Sequence, residues 1–252
     1  MAEQNPLKGK VAVVTGASSG IGRAIAFALA REGMRLAMVA RRLDALVEMK
    51  REVEARGGTA FPLAVDLRDE SQILFGFSAV RRELGGVDVL VNAAGLGHKA
   101  PLASGSTEHF REMLEVNVLA LSVMTREAVK DMRERKVAGQ IIHVSSMSAH
   151  RVQQGAGLYA ATKHAVRALA EGLRQELRTL DLPIRVAMVS PGDTETEFVA
   201  RMLRSKQAAA DAKPPYRQLD ADDVAQAVLY ILKTPPHVAI HEVQLRPIGQ
   251  PD

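Results

Sequence analysis

The sequence predicts an α/β fold, a doubly wound parallel sheet of seven strands with helices on both faces. Apolar runs alternate with amphipathic stretches of helical periodicity along the whole chain. The apolar runs are continuous, which is typical of parallel strands buried on both faces. The length of 252 residues suits one such sheet, so we expect a single domain spanning 1–252.

Each predicted element follows from its local pattern. The strands are runs rich in Val, Ile, Leu and Ala, at 11–15, 35–40, 59–65, 87–91, 140–145, 184–190 and 238–246. The helices show apolar residues three and four apart, at 21–33, 43–56, 70–84, 107–135, 157–180 and 221–233. Because ligands of such sheets bind outside the carboxyl ends of the strands, functional residues are expected there.

The segment 195–219 interrupts this alternation. It contains two consecutive prolines, several charges and three consecutive alanines. Such a segment is either a surface insertion or a lid over the substrate, and we expect a lid because it follows the sixth strand. Its Phe198, Met202 and Leu203 form either an apolar roof for a substrate or packing contacts of the lid itself.

The composition excludes several classes of protein. The residues are 47% hydrophobic and 25% charged, as in ordinary globular proteins. No apolar run is long enough for a transmembrane helix, and the N-terminus does not resemble a secretory signal. With no cysteine, disulfides, thiolate metal sites and cysteine nucleophiles are excluded. We also find no metal-ligand spacing of His, Asp and Glu. We expect a cytoplasmic protein without a metal or a membrane partner.

The net charge of +4 indicates an anionic small ligand rather than nucleic acid. The 33 basic residues are interspersed with 29 acidic ones, and Trp is absent. No basic module with interleaved aromatic residues is present, so a nucleic-acid partner is not expected. A mild attraction for anionic cofactors or substrates remains.

A glycine loop, Thr-Gly-Ala-Ser-Ser-Gly-Ile-Gly, joins the first strand to the first helix at 15–22. Gly16, Gly20 and Gly22 permit a tight turn and close backbone approach to a pyrophosphate. The N-terminus of the following helix offers free N–H groups and a positive dipole end. The alternative is a tight strand-to-helix turn without a ligand. The context favours a dinucleotide site in a Rossmann-type sheet.

The spacing of this loop closely resembles that of the short-chain dehydrogenase/reductase family, and further family motifs follow in order from Lys10 to about Pro247. Three segments (101–107, 147–152 and 171–178) are similar to an NADP-dependent cytosolic branch that includes 17-beta/3-ketosteroid reductases and farnesol dehydrogenases of insects. The resemblance implies these cofactor contacts: Gly16, Ser18, Ser19, Gly20, Ile21, Gly22, Arg41, Arg42, Asp66, Leu67, Asn92, Ala93, Gly95, Tyr159, Lys163, Pro191, Gly192, Thr194 and Thr196.

The residues after the second strand favour NADP(H) over NAD(H). An acidic residue there would bind the ribose 2′-hydroxyl of NAD. This sequence has Arg41 and Arg42 instead, and guanidinium groups pair well with a 2′-phosphate. Arg41 is the preferred single contact, and Ser18 is within the loop that could also reach the phosphate. The alternative is that both arginines only solvate the next helix.

Two further motifs, after the third and fourth strands, resemble those of the family, and the second departs from the family at one residue. Asp66 matches the residue that contacts the adenine ring, with helix capping as the alternative. Asn92-Ala-Ala-Gly95 resembles the family's Asn-Asn-Ala-Gly, but Ala93 replaces the second Asn. Because that Asn mainly ties neighbouring strands together in the family, the replacement questions a structural bond rather than the chemistry.

Tyr159 and Lys163 are the central catalytic candidates. Positions i and i+4 share one helix face, so a phenol and an ammonium group lie together. A tyrosine pKa is about 10, and both a nearby lysine and an oxidised nicotinamide favour the phenolate. Ser146, thirteen residues earlier, matches the family serine that holds the substrate oxygen. Asn117 matches the residue that anchors a water in the proton relay.

The resemblance implies interconversion of a ketone or aldehyde and an alcohol by hydride transfer, with Tyr159 as the acid/base. A 3-oxoacyl carrier-protein reductase is one alternative, and an NADP-binding sensor without turnover is another. His98, His150 and Arg151 contact a polar substrate or lie at the surface, and His143 is a core or interface residue. The family also implies a homotetramer or homodimer, assembled through the helix 157–180 and the strand 238–246.

Overall fold

The computed structural model describes residues 5–251. Its strands form one parallel sheet in the order β3-β2-β1-β4-β5-β6-β7. Their bounds are β1 (Val11–Thr15), β2 (Arg35–Ala40), β3 (Thr59–Ala64), β4 (Val89–Asn92), β5 (Gln140–Val144), β6 (Arg185–Pro191) and β7 (Glu242–Leu245). The predicted seven-stranded doubly wound sheet is confirmed. The seventh strand is shorter than predicted, because its pairing with β6 begins only where Met188 faces Glu242.

Helices connect the strands in the predicted order. Their bounds are α1 (Gly20–Arg31), α2 (Leu43–Glu54), α3 (Glu70–Leu84), α4 (Thr107–Leu114), α5 (Leu121–Glu134), α6 (Gly157–Thr179), α7 (Phe198–Met202), α8 (Lys206–Asp211) and α9 (Ala221–Leu232). The single helix predicted over 107–135 is wrong in one respect, since a π-helical turn over Glu115–Ala120 separates α4 from α5. The segment 195–219 contains the short helices α7 and α8 rather than only a loop.

The core has two layers, one on each face of the sheet. On one face, α1, α2 and α9 bury residues such as Ile25, Met49 and Val228 against the strands. On the other, α3, α5 and α6 bury residues such as Val80 and Met132. The parallel strands therefore contact helices on both sides, which explains their continuous apolar runs. All carboxyl ends of the strands meet at one edge, where the candidate site lies.

His143 in β5 is buried in this core. The sequence allowed either a core or an interface position, and the structure shows the core. Its Nδ1 lies 3.1 Å from Nδ2 of Asn92 on the neighbouring strand β4. Burial lowers the pKa of His143 to about 3, and the charges of Arg174 and Lys163 act in the same direction. The imidazole is therefore neutral in the folded protein and accepts the hydrogen bond from Asn92.

The low pKa of His143 predicts sensitivity to acid. The unfolded state binds a proton below pH 6.5 and the folded state does not, so stability is lost as pH falls from 6.5 towards 3. From pH 7 to 5 this group alone costs about 2 kcal/mol of unfolding free energy. We expect His143→Gln to remove that part of the pH dependence in urea unfolding, whereas the exposed His237→Gln leaves it unchanged. Equal pH slopes for wild type and His143→Gln would contradict this.

Candidate active site

The glycine loop contacts the end of β4 and leaves no room for side chains. Gly16 has a φ of 67°, and a Cβ there would lie 2.9 Å from Cα of Ala94. A Cβ at Gly22 would lie 2.7 Å from the carbonyl carbon of Gly16. The loop therefore folds tightly back on the first turn of α1, with Ile21 packed against the core. This is the close packing that the sequence predicted for a dinucleotide loop.

The first turn of α1 keeps its backbone donors free of side-chain caps. Ser19 occupies the N-cap position, yet its side chain makes no capping hydrogen bond. By contrast, Asp69, Ser106 and Ser205 cap α3, α4 and α8 with side-chain oxygens. A helix start with unused N–H groups, next to a loop that excludes side chains, is suited to an anionic group such as a pyrophosphate.

The two arginines after β2 differ in their contacts. Nη2 of Arg42 lies 3.0 Å from the backbone oxygen of Ser18 and 3.4 Å from its hydroxyl. Arg41 is exposed, and its charge helps to lower the pKa of Asp66. The structure thus brings Arg41, Arg42 and Ser18 to one corner of the glycine loop. It gives Arg42 the direct contact with Ser18, although Arg41 was the preferred residue in the sequence.

Asp66 does not cap α3, so that alternative is wrong. Asp69 caps this helix, accepting from the backbone N–H groups of Ser71 and Gln72. The carboxylate of Asp66 instead accepts from Nε and Nη2 of Arg68, at 3.0 and 2.6 Å. Hydrogen bonding by Arg68 is the main cause that lowers the pKa of Asp66.

Arg68 also joins this corner to the loop after β4. Its Nη1 lies 3.6 Å from Oε1 of Glu112, whose other oxygen lies 2.7 Å from Nε2 of His98. The ring of His98 stacks on that of His109, with centroids 4.2 Å apart. His98 is thus half-buried, with its side chain 11% exposed, within a network of charged groups.

The end of β4 is held by Thr15 rather than by a second Asn. The hydroxyl of Thr15 accepts from the backbone N–H groups of Ala93 and Ala94, both at 3.0 Å. Asn92 points into the protein and donates to Thr125. The family's second Asn links neighbouring strands, and Ala93 cannot do so. In this protein Thr15 of β1 provides the link between strands instead. Leu67, at the end of β3, packs against the core of the α3 face.

Asn117 lies in the π-helical turn, where both polar atoms of its side chain form hydrogen bonds. Its Oδ1 accepts from the N–H of Leu96 at 2.9 Å, and its Nδ2 donates to the oxygen of Leu96 at 2.8 Å and to Thr162 at 3.1 Å. A Cβ on Gly95 would lie 3.5 Å from Oδ1 of Asn117 and 3.6 Å from Nζ of Lys163. The structure therefore brings Asn117, Gly95 and Lys163 together.

Ser146, Tyr159 and Lys163 converge at the ends of β5 and α6. Ser146 begins a short 3₁₀ turn (Met147–Ala149) after β5, and its hydroxyl neighbours that of Tyr159 and lowers the pKa of the phenol. Nζ of Lys163 donates to the oxygen of Val144 at 3.1 Å and lies 5.8 Å from the centre of the Tyr159 ring. A phenol, an alcohol and an ammonium group thus share one pocket.

Burial is the main influence on the protonation states of Tyr159 and Lys163. Desolvation raises the pKa of Tyr159 to about 12, and the neighbouring Ser146 hydroxyl acts in the opposite direction. Desolvation lowers the pKa of Lys163 to about 8. Lys163 does not contribute to the pKa shift of Tyr159, so the lowering by lysine that the sequence predicted is not found. At neutral pH, the phenol is protonated and Lys163 is mostly charged, a state suited to donating a proton.

The Pro-Gly turn after β6 lies opposite the glycine loop. The N–H of Gly192, next to Pro191, donates to the oxygen of Leu245 in β7 at 2.8 Å, and Thr194 donates to the oxygen of Gly192 at 3.0 Å. A Cβ on Gly20 would lie 3.4 Å from the side chain of Thr196. The two turns therefore border the same cleft.

The segment 195–219 starts at this turn and covers Tyr159. Phe198 tilts against the Tyr159 ring, with centroids 5.7 Å apart. The base of the segment is closed, because Thr194 bridges Leu219 and the backbone of Leu219 bonds both Asp193 and Glu195. Among residues 5–251, no cluster of three or more His, Asp or Glu side chains is arranged for a metal. No helix of the described chain is long and apolar enough to cross a membrane.

Comparison with known proteins identifies the family. Residues 10–207 match the family model described as short chain dehydrogenase. The chain belongs to the short-chain dehydrogenase family. It is 47% identical to dehydrogenase/reductase SDR family member 11 of Bos taurus, over 96% of this chain and 97% of that protein. It is 37% identical to farnesol dehydrogenase of Aedes aegypti, over 96% and 97% of the two chains. This short-chain dehydrogenase is therefore an oxidoreductase, and the predicted resemblance to insect farnesol dehydrogenases is confirmed.

Solved structures of the family share its architecture. The closed form of a serine dehydrogenase complexed with NADP+ superimposes with a TM-score of 0.90 at 29% identity, covering 96% of each chain. An alcohol dehydrogenase from Thermococcus sibiricus, complexed with 5-hydroxy-NADP, gives a TM-score of 0.85 at 32% identity, covering 96% of this chain and 98% of that one. The similarity thus extends over nearly the whole short-chain dehydrogenase.

Several residues of the site were missed by sequence reasoning. Thr15, Arg68 and Thr162 make hydrogen bonds to predicted site residues, and none had been assigned a role. Thr15 opens the glycine motif, so a search for hydroxyls at strand ends would have found it. The contacts of Arg68 and Thr162 depend on tertiary packing, for which the sequence contains no local signal.

Proposed function

We propose that this protein is an NADP(H)-dependent oxidoreductase that interconverts a ketone or aldehyde and the corresponding alcohol. The main support is the convergence of Ser146, Tyr159, Lys163 and Asn117 beside a glycine loop. Solved structures that resemble this chain and are complexed with 5-hydroxy-NADP or NADP+ support NADP(H) as the cofactor.

The glycine loop and its surroundings fit a dinucleotide. The crowded glycines and the uncapped start of α1 would hold the pyrophosphate, and Arg41, Arg42 and Ser18 would hold a 2′-phosphate. Asp66 and Leu67 would border the adenine, and Asn92, Ala93 and Gly95 the inner ribose. The remaining predicted contacts are to the nicotinamide half, from Tyr159, Lys163, Pro191, Gly192, Thr194 and Thr196. Bound NADPH supplies a hydride, and NADP+ accepts one.

The catalytic side chains position the substrate and transfer the proton. The hydroxyls of Ser146 and Tyr159 hold the carbonyl oxygen, which fixes the distance and angle of the reacting carbon. Tyr159 donates its phenolic proton to this oxygen as the alcohol forms. Lys163 stabilises the resulting phenolate, and Asn117 takes the part that the family resemblance implies, which is to anchor a water of the proton relay. In the reverse reaction the phenolate accepts the proton of the alcohol.

We further propose that the segment 195–219 is a lid within a single domain spanning 1–252. Phe198 already covers the ring of Tyr159, and a Cβ at Gly97 would lie 3.0 Å from the Phe198 ring. This contact covers one side of the half-buried phenol ring and would present an apolar wall to the substrate. Assembly as a homodimer or homotetramer, through α6 and β7, belongs to the same proposal. Size-exclusion chromatography with light scattering tests the assembly.

The experiment that tests this function is NADPH oxidation at 340 nm across a panel of carbonyl compounds, with NADH as the comparison. The panel contains steroids, diketones, terpenoid aldehydes and 3-oxo esters, free and attached to acyl carrier protein. Turnover of free carbonyls with NADPH supports the proposal. Turnover only of the carrier-bound ester identifies an acyl carrier-protein reductase. NADPH binding without any turnover by folded protein favours a sensor.

The contacts of Arg42 predict a specific effect on cofactor choice. Since hydrogen bonds to a charged group contribute about 1.5–3 kcal/mol, Arg42→Ala is expected to raise the KM for NADPH about 10- to 100-fold. The KM for NADH is expected to stay the same, because NADH lacks the 2′-phosphate. Arg41→Ala is measured in parallel, and Arg51→Ala, on the same helix but away from the loop, is the matched control. An equal rise for both cofactors would contradict a phosphate contact.

A further inference from the structure

A partly buried carboxylate on β7 connects the elements that hold the candidate catalytic groups. Oε1 of Glu242 lies 2.6 Å from Oγ of Ser190 and 2.6 Å from Nε2 of His150. The side chains of Glu242 and His150 are only 16% and 15% exposed, and Ser190 is completely buried. None of these three residues has a part in the proposed chemistry. Their geometry therefore needs another explanation.

Each partner of Glu242 leads directly to the site. Ser190 precedes Pro191, the last residue of β6, and Gly192, which together form the turn expected to contact the nicotinamide. His150 ends the 3₁₀ turn that starts at Ser146, and its N–H donates to the oxygen of Met147 at 3.0 Å. This turn is stiffened further because the N–H of Ser148 donates to Oγ of Ser146 at 3.1 Å. The position of Glu242 therefore affects both turns.

The imidazole of His150 extends this connection to α6. Nη1 of Arg167, two turns after Tyr159, lies 3.4 Å from Nδ1 of His150. The tautomer with hydrogen on Nε2 satisfies both contacts, since Nε2–H then donates to Glu242 and Nδ1 accepts from Arg167. One carboxylate thus joins the turn of Ser146, the Pro-Gly turn and the helix of Tyr159 and Lys163.

We propose that Glu242 is a positioning residue, which holds Ser146 in register with Tyr159 and the Pro-Gly turn through Ser190 and His150. The inference rests on the proposed function, since it assigns Ser146 a contact with the reacting oxygen. Hydrogen bonds that lock side chains behind an active site maintain its reactive geometry. A displacement of the order of 1 Å in such a site lowers the rate by up to about 100-fold.

The test compares two substitutions at the same position. Both hydrogen bonds use Oε1, which an amide retains, so Glu242→Gln keeps the geometry and removes the charge. We expect Glu242→Ala to lower kcat at least about tenfold with little change in the Kd for NADPH, and Glu242→Gln to stay within about threefold of wild type. Ser190→Ala removes one connection and gives an intermediate loss. Gln244→Ala, at an exposed position of the same strand, is the matched control.

A double-mutant cycle separates positioning of Ser146 from a general loss of structure. If Glu242 acts through Ser146, then Glu242→Ala causes no further loss of kcat in a Ser146→Ala protein. Additive losses overturn the inference, as does full activity of Glu242→Ala. An inactive wild type, or an unimpaired Ser146→Ala protein, instead contradicts the proposed function. The two failures are therefore distinguishable. NADPH binding stoichiometry confirms that each variant is folded.

Discussion

Tyr159→Phe is expected to abolish nearly all carbonyl reduction while leaving the fold and cofactor binding intact. The substitution removes only the hydroxyl that lies beside Ser146 and Lys163. General acid catalysis by a positioned side chain contributes about 10²- to 10⁴-fold, so we expect kcat to fall by about 10³-fold. The ring contact with Phe198 remains, so the melting temperature changes little. The measurement is kcat with the best substrate of the panel, together with NADPH binding by fluorescence.

Tyr230→Phe is the matched control for this prediction. Tyr230 lies on α9 with 63% of its surface exposed. The same atom is removed there, away from the cleft, so kcat is expected to equal that of wild type. If Tyr159→Phe retains more than about a tenth of the activity, Tyr159 is not the acid/base that the proposal requires.

Gly22→Ala is expected to weaken cofactor binding strongly. The new Cβ would lie 2.7 Å from the carbonyl carbon of Gly16, in a loop whose other side contacts Ala94. Both neighbours are backbone, so the loop must move away from α1. Because hydrogen bonds to a charged group contribute about 1.5–3 kcal/mol, loss of one pyrophosphate contact weakens NADPH binding about 10- to 100-fold. Fluorescence titration with NADPH measures this change.

Gly172→Ala is the matched control for Gly22→Ala, and we expect it to stabilise the protein without changing NADPH binding. Gly172 is in the middle of α6, and a Cβ there meets no atom within 4 Å. Replacing a glycine inside a helix by alanine raises the free energy of unfolding by about 0.5–1 kcal/mol. We expect a higher urea midpoint and unchanged NADPH affinity. Unchanged affinity in Gly22→Ala as well would show that the loop does not cradle the cofactor.

The fold was predictable because its signals are local. The alternation of Val-rich runs with helical periodicity indicated seven parallel strands without any tertiary information. The same is true of the glycine loop and of the pair Tyr159 and Lys163, whose spacing directly determines their geometry. Strand ends were less predictable, as β7 shows, because pairing with a neighbour decides where an edge strand begins.

Long-range contacts of the site could not be predicted. The π-helical turn at Asn117 depends on bonds to Leu96 and Thr162, which are 21 and 45 residues away in sequence. Asp66 and Asp69 are both acidic residues near the start of α3, and only backbone geometry selects Asp69 as its cap. The ionisation of Tyr159 depends on how deeply the fold buries it, and residue spacing does not specify burial.

The closed base of the lid bears on how this protein can acquire new substrates. Since Asp193 and Leu219 are bonded to each other, the chain between them begins and ends at one fixed point. Lengthening such a loop costs little, about 0.6 kcal/mol for each doubling of its length. We expect insertions between α7 and α8, beyond Thr196 and Phe198, to leave the sheet and the glycine turn undisturbed. If the segment acts as the proposed lid, grafting it between relatives is expected to alter substrate selectivity.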